Sequence, residues 1–118
     1  MKKKYRTYRD LKMYPHPGGL PGYQAIEHFP NGYGVSVVRF SSPHPEVTKA
    51  FGRPFLSYCN TADEWEMAVL HFRGPGPRDF DLVYDTPVAD DVIGYCKARD
   101  VTRIMKQVQD LPRRKDGN

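Results

Sequence analysis

The sequence predicts an α+β domain: an antiparallel four-stranded meander packed by a C-terminal amphipathic helix, with a basic N-terminal arm. Three observations point there. Four short runs rich in Val, Phe, Tyr and Trp alternate with turn residues. The last regular segment instead spaces its apolar residues by three and four. At 118 residues, 39% hydrophobic and 27% charged, the chain is sized for one folded domain, and halves of it would bury too little. The expected division is 1–22 as a basic, Pro/Gly-rich arm, 23–112 as the domain, and 113–118 as a basic tail.

Each element has its own reason. Tyr14 to Gly22 holds three prolines and three glycines, which exclude helix or strand through it and leave a linker or an arm lying on the body. Tyr23–Phe29 alternates weakly and reads as a strand. Pro30-Asn31-Gly32 supplies the positive φ of a hairpin turn, and Tyr33–Phe40, with Val35, Val37, Val38 and Phe40, is its second arm. Residues 41–62 carry Pro43, Pro45, Gly52 and Pro54, leaving only Glu46–Phe51 for a turn of helix. An excursion of this length is the first place to look for a binding surface.

Glu64–Phe72 places Trp65, Met67, Val69 and His71 on one side and Glu66, Ala68, Leu70 and Phe72 on the other, as a central strand does. Gly74-Pro75-Gly76-Pro77 breaks it, and Phe80–Asp85 forms the fourth strand. Thr86-Pro87 ends that strand, and Asp90 to Tyr95 is expected to be an irregular or one-turn segment closing over the sheet. Asp100 is read as the N-cap of a helix whose face is Val101, Ile104, Met105, Val108 and Leu111, stopped by Pro112.

The net charge of +4 is unevenly spread. Lys2, Lys3, Lys4, Arg6, Arg9 and Lys12 face only Asp10 in residues 1–12, and Arg113, Arg114 and Lys115 face only Asp116 at the end, which leaves −3 for residues 13–112. No stretch reaches the roughly 20 apolar residues of a membrane helix, and the lysines at the start precede no apolar signal core. A soluble, intracellular protein is expected. Cys59 and Cys96 form no CxxC pair and read as reduced, partly buried thiols.

Chemistry has little purchase. His16, His28, His44 and His71 fit no metal-ligand spacing, the serines lie outside any nucleophile elbow, and the glycines at 74–77 lack the lysine and helix of a phosphate loop. Asp79, Asp81, Asp85, Asp90 and Asp91 would suit a metal-dependent hydrolase, but aspartates beside strand ends and turns are common as solvated groups. No catalytic residue, metal ligand or cofactor is assigned, and the reading leans away from an enzyme. The arm is different: Lys2, Lys3, Lys4, Arg6 and Arg9 suit phosphates, and Tyr5 and Tyr8 suit stacking on bases, so nucleic acid is a candidate partner. In the excursion, His44, Phe51, Arg53 and Phe55 are the candidate partner-binding residues.

Three segments, Asn31-Gly32-Tyr33-Gly34-Val35-Ser36-Val37-Val38-Arg39, Trp65-Glu66-Met67-Ala68-Val69-Leu70 and Tyr84-Asp85-Thr86-Pro87-Val88-Ala89-Asp90-Asp91-Val92-Ile93-Gly94, resemble a trio in small uncharacterised proteins of tailed bacteriophages and prophages. The resemblance spans about residues 23–112; the excursion and the basic start depart from it. It implies a phage accessory role in the cytoplasm of an infected or lysogenic bacterium and brings no catalytic residues. The expectation is a non-enzymatic protein that binds a host macromolecule, a host protein first. Nucleic-acid binding by the arm is the alternative, and a small metal-dependent hydrolase a second one.

Overall fold

The structure, a computed structural model, describes residues 4–114. Its strands are β1 (Tyr14–Pro15), β2 (Gly22–His28), β3 (Tyr33–Phe40), β4 (Trp65–Phe72), β5 (Phe80–Leu82) and β6 (Ile93–Cys96), and its helices are α1 (Pro45–Phe51) and α2 (Ala98–Gln109). A single 3₁₀ turn, Tyr8–Asp10, precedes them. All six strands join one antiparallel sheet in the order β1-β2-β3-β4-β5, and β6 shares the outer edge of β4 with β5. β5 pairs with Leu70 to Phe72, while β6 pairs with Trp65 and Met67.

The helix packs where its spacing directs it. Val101, Ile104, Met105, Val108 and Leu111 are all buried, against Ala25 of β2, Val35 and Val37 of β3, and Trp65, Met67 and Val69 of β4. These sheet residues share one face because strand side chains alternate. Each fully buried Val, Ile or Met contributes roughly 1.5–3 kcal/mol, so this layer dominates the stability of the domain. Truncating Met105, which is fully buried, would cost about 2–5 kcal/mol.

The turn between β2 and β3 ties this layer to the hairpin. Gly32 sits at φ 89°, and the Asn31 amide donates to the carbonyls of Val108 and Leu111, each at 2.9 Å, while its oxygen accepts from the Tyr33 N–H at 3.1 Å. Asn31 therefore supplies donors to carbonyls in the last turn of α2 and just beyond it, where the helix offers few of its own.

The opposite face of the sheet carries small residues down its centre. Ser36 pairs with Ala68, and Gly34 lies between His28 and Leu70. The His28 ring stacks on Phe72 at 3.8 Å, and Phe72 meets Phe80 edge-on at 5.4 Å. A Cβ at Gly34 would stand 2.1 Å from the Glu27 carbonyl oxygen and 2.7 Å from the Phe72 ring, so glycine is required there. The proline–glycine turn after β4 is held by Asp79, whose carboxylate accepts from the Gly76 N–H at 3.1 Å, and Arg78 reaches Gln24 at 3.1 Å.

Three sequence expectations are corrected. Six strands stand where four were expected: Tyr14–Pro15, in the stretch expected as a linker or an arm lying on the body, lies down and pairs with β2, and Ile93–Cys96 is a strand rather than an irregular cover. The fourth expected strand closes at Leu82, with one further ladder bond from the Val83 N–H to the Val69 carbonyl. Asp100 is not the N-cap but lies in the first turn, where its carboxylate accepts from the Lys97 N–H at 3.0 Å. An acid there complements the positive end of the helix, which is why it carried the signal of a helix start.

Candidate functional site

The excursion at 41–62 is built around one guanidinium. Pro45 opens α1, and Gly52, at φ 77°, closes it by donating to Thr48 and Lys49 carbonyls. Arg53 then turns back: its Nε donates to the carbonyls of Phe55 at 3.1 Å and Ser57 at 3.3 Å, and Nη2 donates to Leu56 at 3.3 Å. Its Cζ lies 4.6 Å from the centre of the Phe51 ring and 5.1 Å from that of Tyr58. A cation near two rings, with Nε and Nη2 donating to three carbonyls, fixes the shape of the loop.

The loop is also pinned to the sheet. Leu56 N–H donates to the Phe40 carbonyl at 3.0 Å, the Phe40 N–H donates to the buried Ser57 hydroxyl at 3.1 Å, and the Tyr58 N–H donates to Glu66 at 3.0 Å. The Tyr58 carbonyl accepts from the Tyr95 N–H at 2.8 Å. Between its two pairings with β4, β6 carries one residue more than its partner, a β-bulge, and Tyr95 adopts φ 59° there. It is the one non-glycine residue with positive φ among the described residues. A Cβ on the preceding Gly94 would come within 2.6 Å of Tyr58 Cβ, so the close approach of loop and strand depends on that glycine.

The result is an exposed aromatic surface. Phe51, Tyr58 and Tyr95 expose 51%, 45% and 46% of their area, with the Tyr58 and Tyr95 rings 6.4 Å apart. Of the four residues singled out in the excursion, Phe51 and Arg53 meet in this cluster. Phe55 is half-buried and contributes its carbonyl, and His44 stands at the other end of α1, 3.8 Å from Glu46. Tyr58 and Tyr95 were not singled out. The only hint of them was an aromatic following Gly94, which gives no sign of a partner 37 positions earlier.

The described part of the basic start lies along α2. The Tyr5 hydroxyl reaches the Asp110 carboxylate at 2.8 Å, and Arg6 pairs with Glu27 at 2.7 Å and exchanges backbone bonds with the Gln109 amide. The Tyr8 N–H donates to the Thr102 hydroxyl at 3.1 Å, and Lys4 and Arg9 are exposed. Lys2 and Lys3 lie outside the described residues.

Asp79, Asp81, Asp85 and Asp91 each have a partner. Asp81 pairs with Arg73 at 2.9 Å, Asp85 with Arg114 at 3.0 Å, and Asp91 accepts from the Val92 N–H at 2.7 Å. The Arg114 hydrogen bond holds the Asp85 carboxyl below the usual range. Among the described residues, no three or more His, Cys, Asp or Glu gather as a metal would need. Cys59 and Cys96 are free and buried, and burial pushes both thiols up, Cys96 to about 11. No helix in the described residues is long and apolar enough to cross a membrane.

Comparison of the chain with protein-family models, with curated proteins and with solved structures finds no match in any of the three.

Proposed function

We propose that this chain is a non-enzymatic accessory protein of a phage or prophage that binds a host protein in the bacterial cytoplasm, using the surface of Phe51, Arg53, Tyr58 and Tyr95. The observation that carries the reading is Tyr95, a bulky residue held at φ 59° with its ring exposed beside Tyr58. A left-handed conformation costs a non-glycine residue roughly 1–2 kcal/mol, and close to half the area of Tyr58 and Tyr95 is left for a partner to cover. Exposed Tyr, Phe and Arg on a rigid frame are the composition of interface hot spots, where a partner completes their burial.

A photo-crosslinking amino acid placed at Tyr58 and, as a control, at Arg73 on the far turn tests this in bacterial cells. The expected result is a discrete protein adduct from position 58 that is absent from position 73 and lost on Tyr95→Asp. No adduct at position 58, or the same adducts from both positions, would overturn the reading.

A further inference from the structure

We propose that a second site, the cleft between the basic start and the beginning of α2, binds the phosphate of a nucleotide, free or as a unit of a single-stranded nucleic acid. Two adjoining hollows of about 610 and 470 Å³ share Tyr8, Ala98 and Arg99. Each is within the roughly 300–1,000 Å³ of pockets that hold small ligands. Their charged lining is Arg9, Arg39, Lys97 and Arg99 against the single acid Asp63.

These four cations come from separate parts of the chain: the segment before β1, strand β3, the link before α2, and the first turn of α2. None of the four forms an ion pair among the described residues, whereas Arg6, Arg73, Arg103 and Arg114 are each answered by a carboxylate. Asp63 accepts a hydrogen bond from the Thr61 hydroxyl that keeps it ionised, so the cations lining the hollows outnumber the acids there by four to one. Asp100, just outside the lining, bonds the Lys97 N–H and Arg103, and its charge also acts on Arg99, which lessens the excess without cancelling it. Gathering four cations against so few carboxylates is unfavourable, and a phosphate dianion relieves it.

The site is also preorganised. Arg39 donates from Nη1 to the Glu64 carbonyl at 3.3 Å, and its Cζ lies 4.0 Å from the centre of the Trp65 ring, which fixes one guanidinium before any ligand arrives. Trp65 is only 5% exposed, and Tyr8, which lines both hollows, is half-buried against the core with its ring 6.5 Å from that of Trp65, so the exposed part of Tyr8 is the aromatic surface offered to a base. That pairing of cations with an accessible ring selects a nucleotide over bare phosphate.

The test uses the full chain and fluorescence anisotropy of a labelled oligothymidylate at low salt, with inorganic phosphate and adenosine monophosphate as competitors. A double reversal, Lys97→Glu with Arg99→Glu, is expected to weaken binding by about tenfold or more. Reversing Arg73 and Arg78 instead, an equal change in net charge at the far turn, is expected to leave binding within a factor of about two if the site is local. Competition by adenosine monophosphate assigns the site to free nucleotides, and competition only by unlabelled strand assigns it to single-stranded nucleic acid. Absence of binding, equal losses in the two double variants, or loss on replacing Lys2, Lys3 and Lys4 alone would overturn the proposal. Lys97→Gln, a milder change at an exposed position, should give a smaller loss in the same direction and guards against misfolding.

Discussion

Asn31 offers the sharpest test of how the hairpin and the helix are joined. Its amide donates two hydrogen bonds of 2.9 Å to carbonyls at the end of α2, and its oxygen accepts a third at 3.1 Å from Tyr33. Three part-buried bonds at about 0.5–1.5 kcal/mol each put the cost of Asn31→Ala at about 2–4 kcal/mol. For a domain of this size that lowers the melting temperature by about 8–16 °C. Asn31→Asp, nearly the same shape, keeps the acceptor for Tyr33 but points a carboxylate at two carbonyls and at the negative end of the helix dipole. At neutral pH it should be less stable than the alanine variant. Its carboxyl, repelled in the folded state, takes a folded pKa above the unfolded value of about 3.9. The stabilisation from its protonated form is then complete below the unfolded pKa and is lost as pH rises through the folded one. Thermal melts followed by circular dichroism from acid to neutral pH should show the Asp variant overtaking the Ala variant on acidification. If Asn31→Ala melts within a degree or two of wild type, or the order of the two variants is independent of pH, the capping account is wrong.

Three further predictions concern the frame of the sheet and its edge. Gly34→Ala should destabilise by on the order of 3 kcal/mol or more, read as a lower urea midpoint, because its Cβ would overlap backbone at 2.1 Å as well as the Phe72 ring. Tyr95→Gly should leave the melting temperature unchanged or raise it by a few degrees, since glycine adopts φ 59° without cost, while abolishing the crosslink from Tyr58. A large fall in stability would show that the Tyr95 ring is part of the core. Cys59 and Cys96 should resist iodoacetamide in the native protein at mildly alkaline pH and both react in urea, because burial and a raised pKa leave little thiolate. Rapid labelling of either in the native state would contradict that placement.

What the sequence made legible follows from the range of the interactions. Tyr33–Phe40 was read to the residue because an Asn-Gly turn and a β-branched run define it locally. Val101, Ile104, Met105 and Val108 of α2, and Leu111 just past its end, were read because their spacing is itself the packing rule. β6 was missed because its Gly94 and its bulge at Tyr95 break the alternation on which a strand is recognised, and what makes it a strand is β4, nearly 30 residues away. Asn31 was visible as a turn residue but not as a cap, since its partners lie 77 and 80 positions downstream. Phe51 and Arg53 were found by composition, whereas Tyr58 and Tyr95 become neighbours only after folding. The average charge of −3 over residues 13–112 concealed Arg39, Lys97 and Arg99, which gather only when β3 and the start of α2 meet.

The two proposed surfaces depend on the same irregularity. The bulge lets Ile93 face Met67 while Cys96 faces Trp65, so the strand gains a residue without moving its buried ends. The extra residue places Tyr95 against Tyr58 on the side of the excursion, and the chain then passes directly through Lys97 into the cleft with Arg99. A regular strand would lose that offset, because every added residue in an extended chain inverts which face the next side chain takes. Both surfaces therefore sit at the same end of the sheet, where β4 begins, whereas Arg73, Asp81, Arg114 and Asp85 neutralise one another in pairs. Tyr95 stands between the aromatic patch and the cationic one, at φ 59° with about half of its area exposed. A glycine would hold the same backbone at lower cost, so exchanging Tyr95 for glycine separates what the side chain does for folding from what it does for the proposed partner.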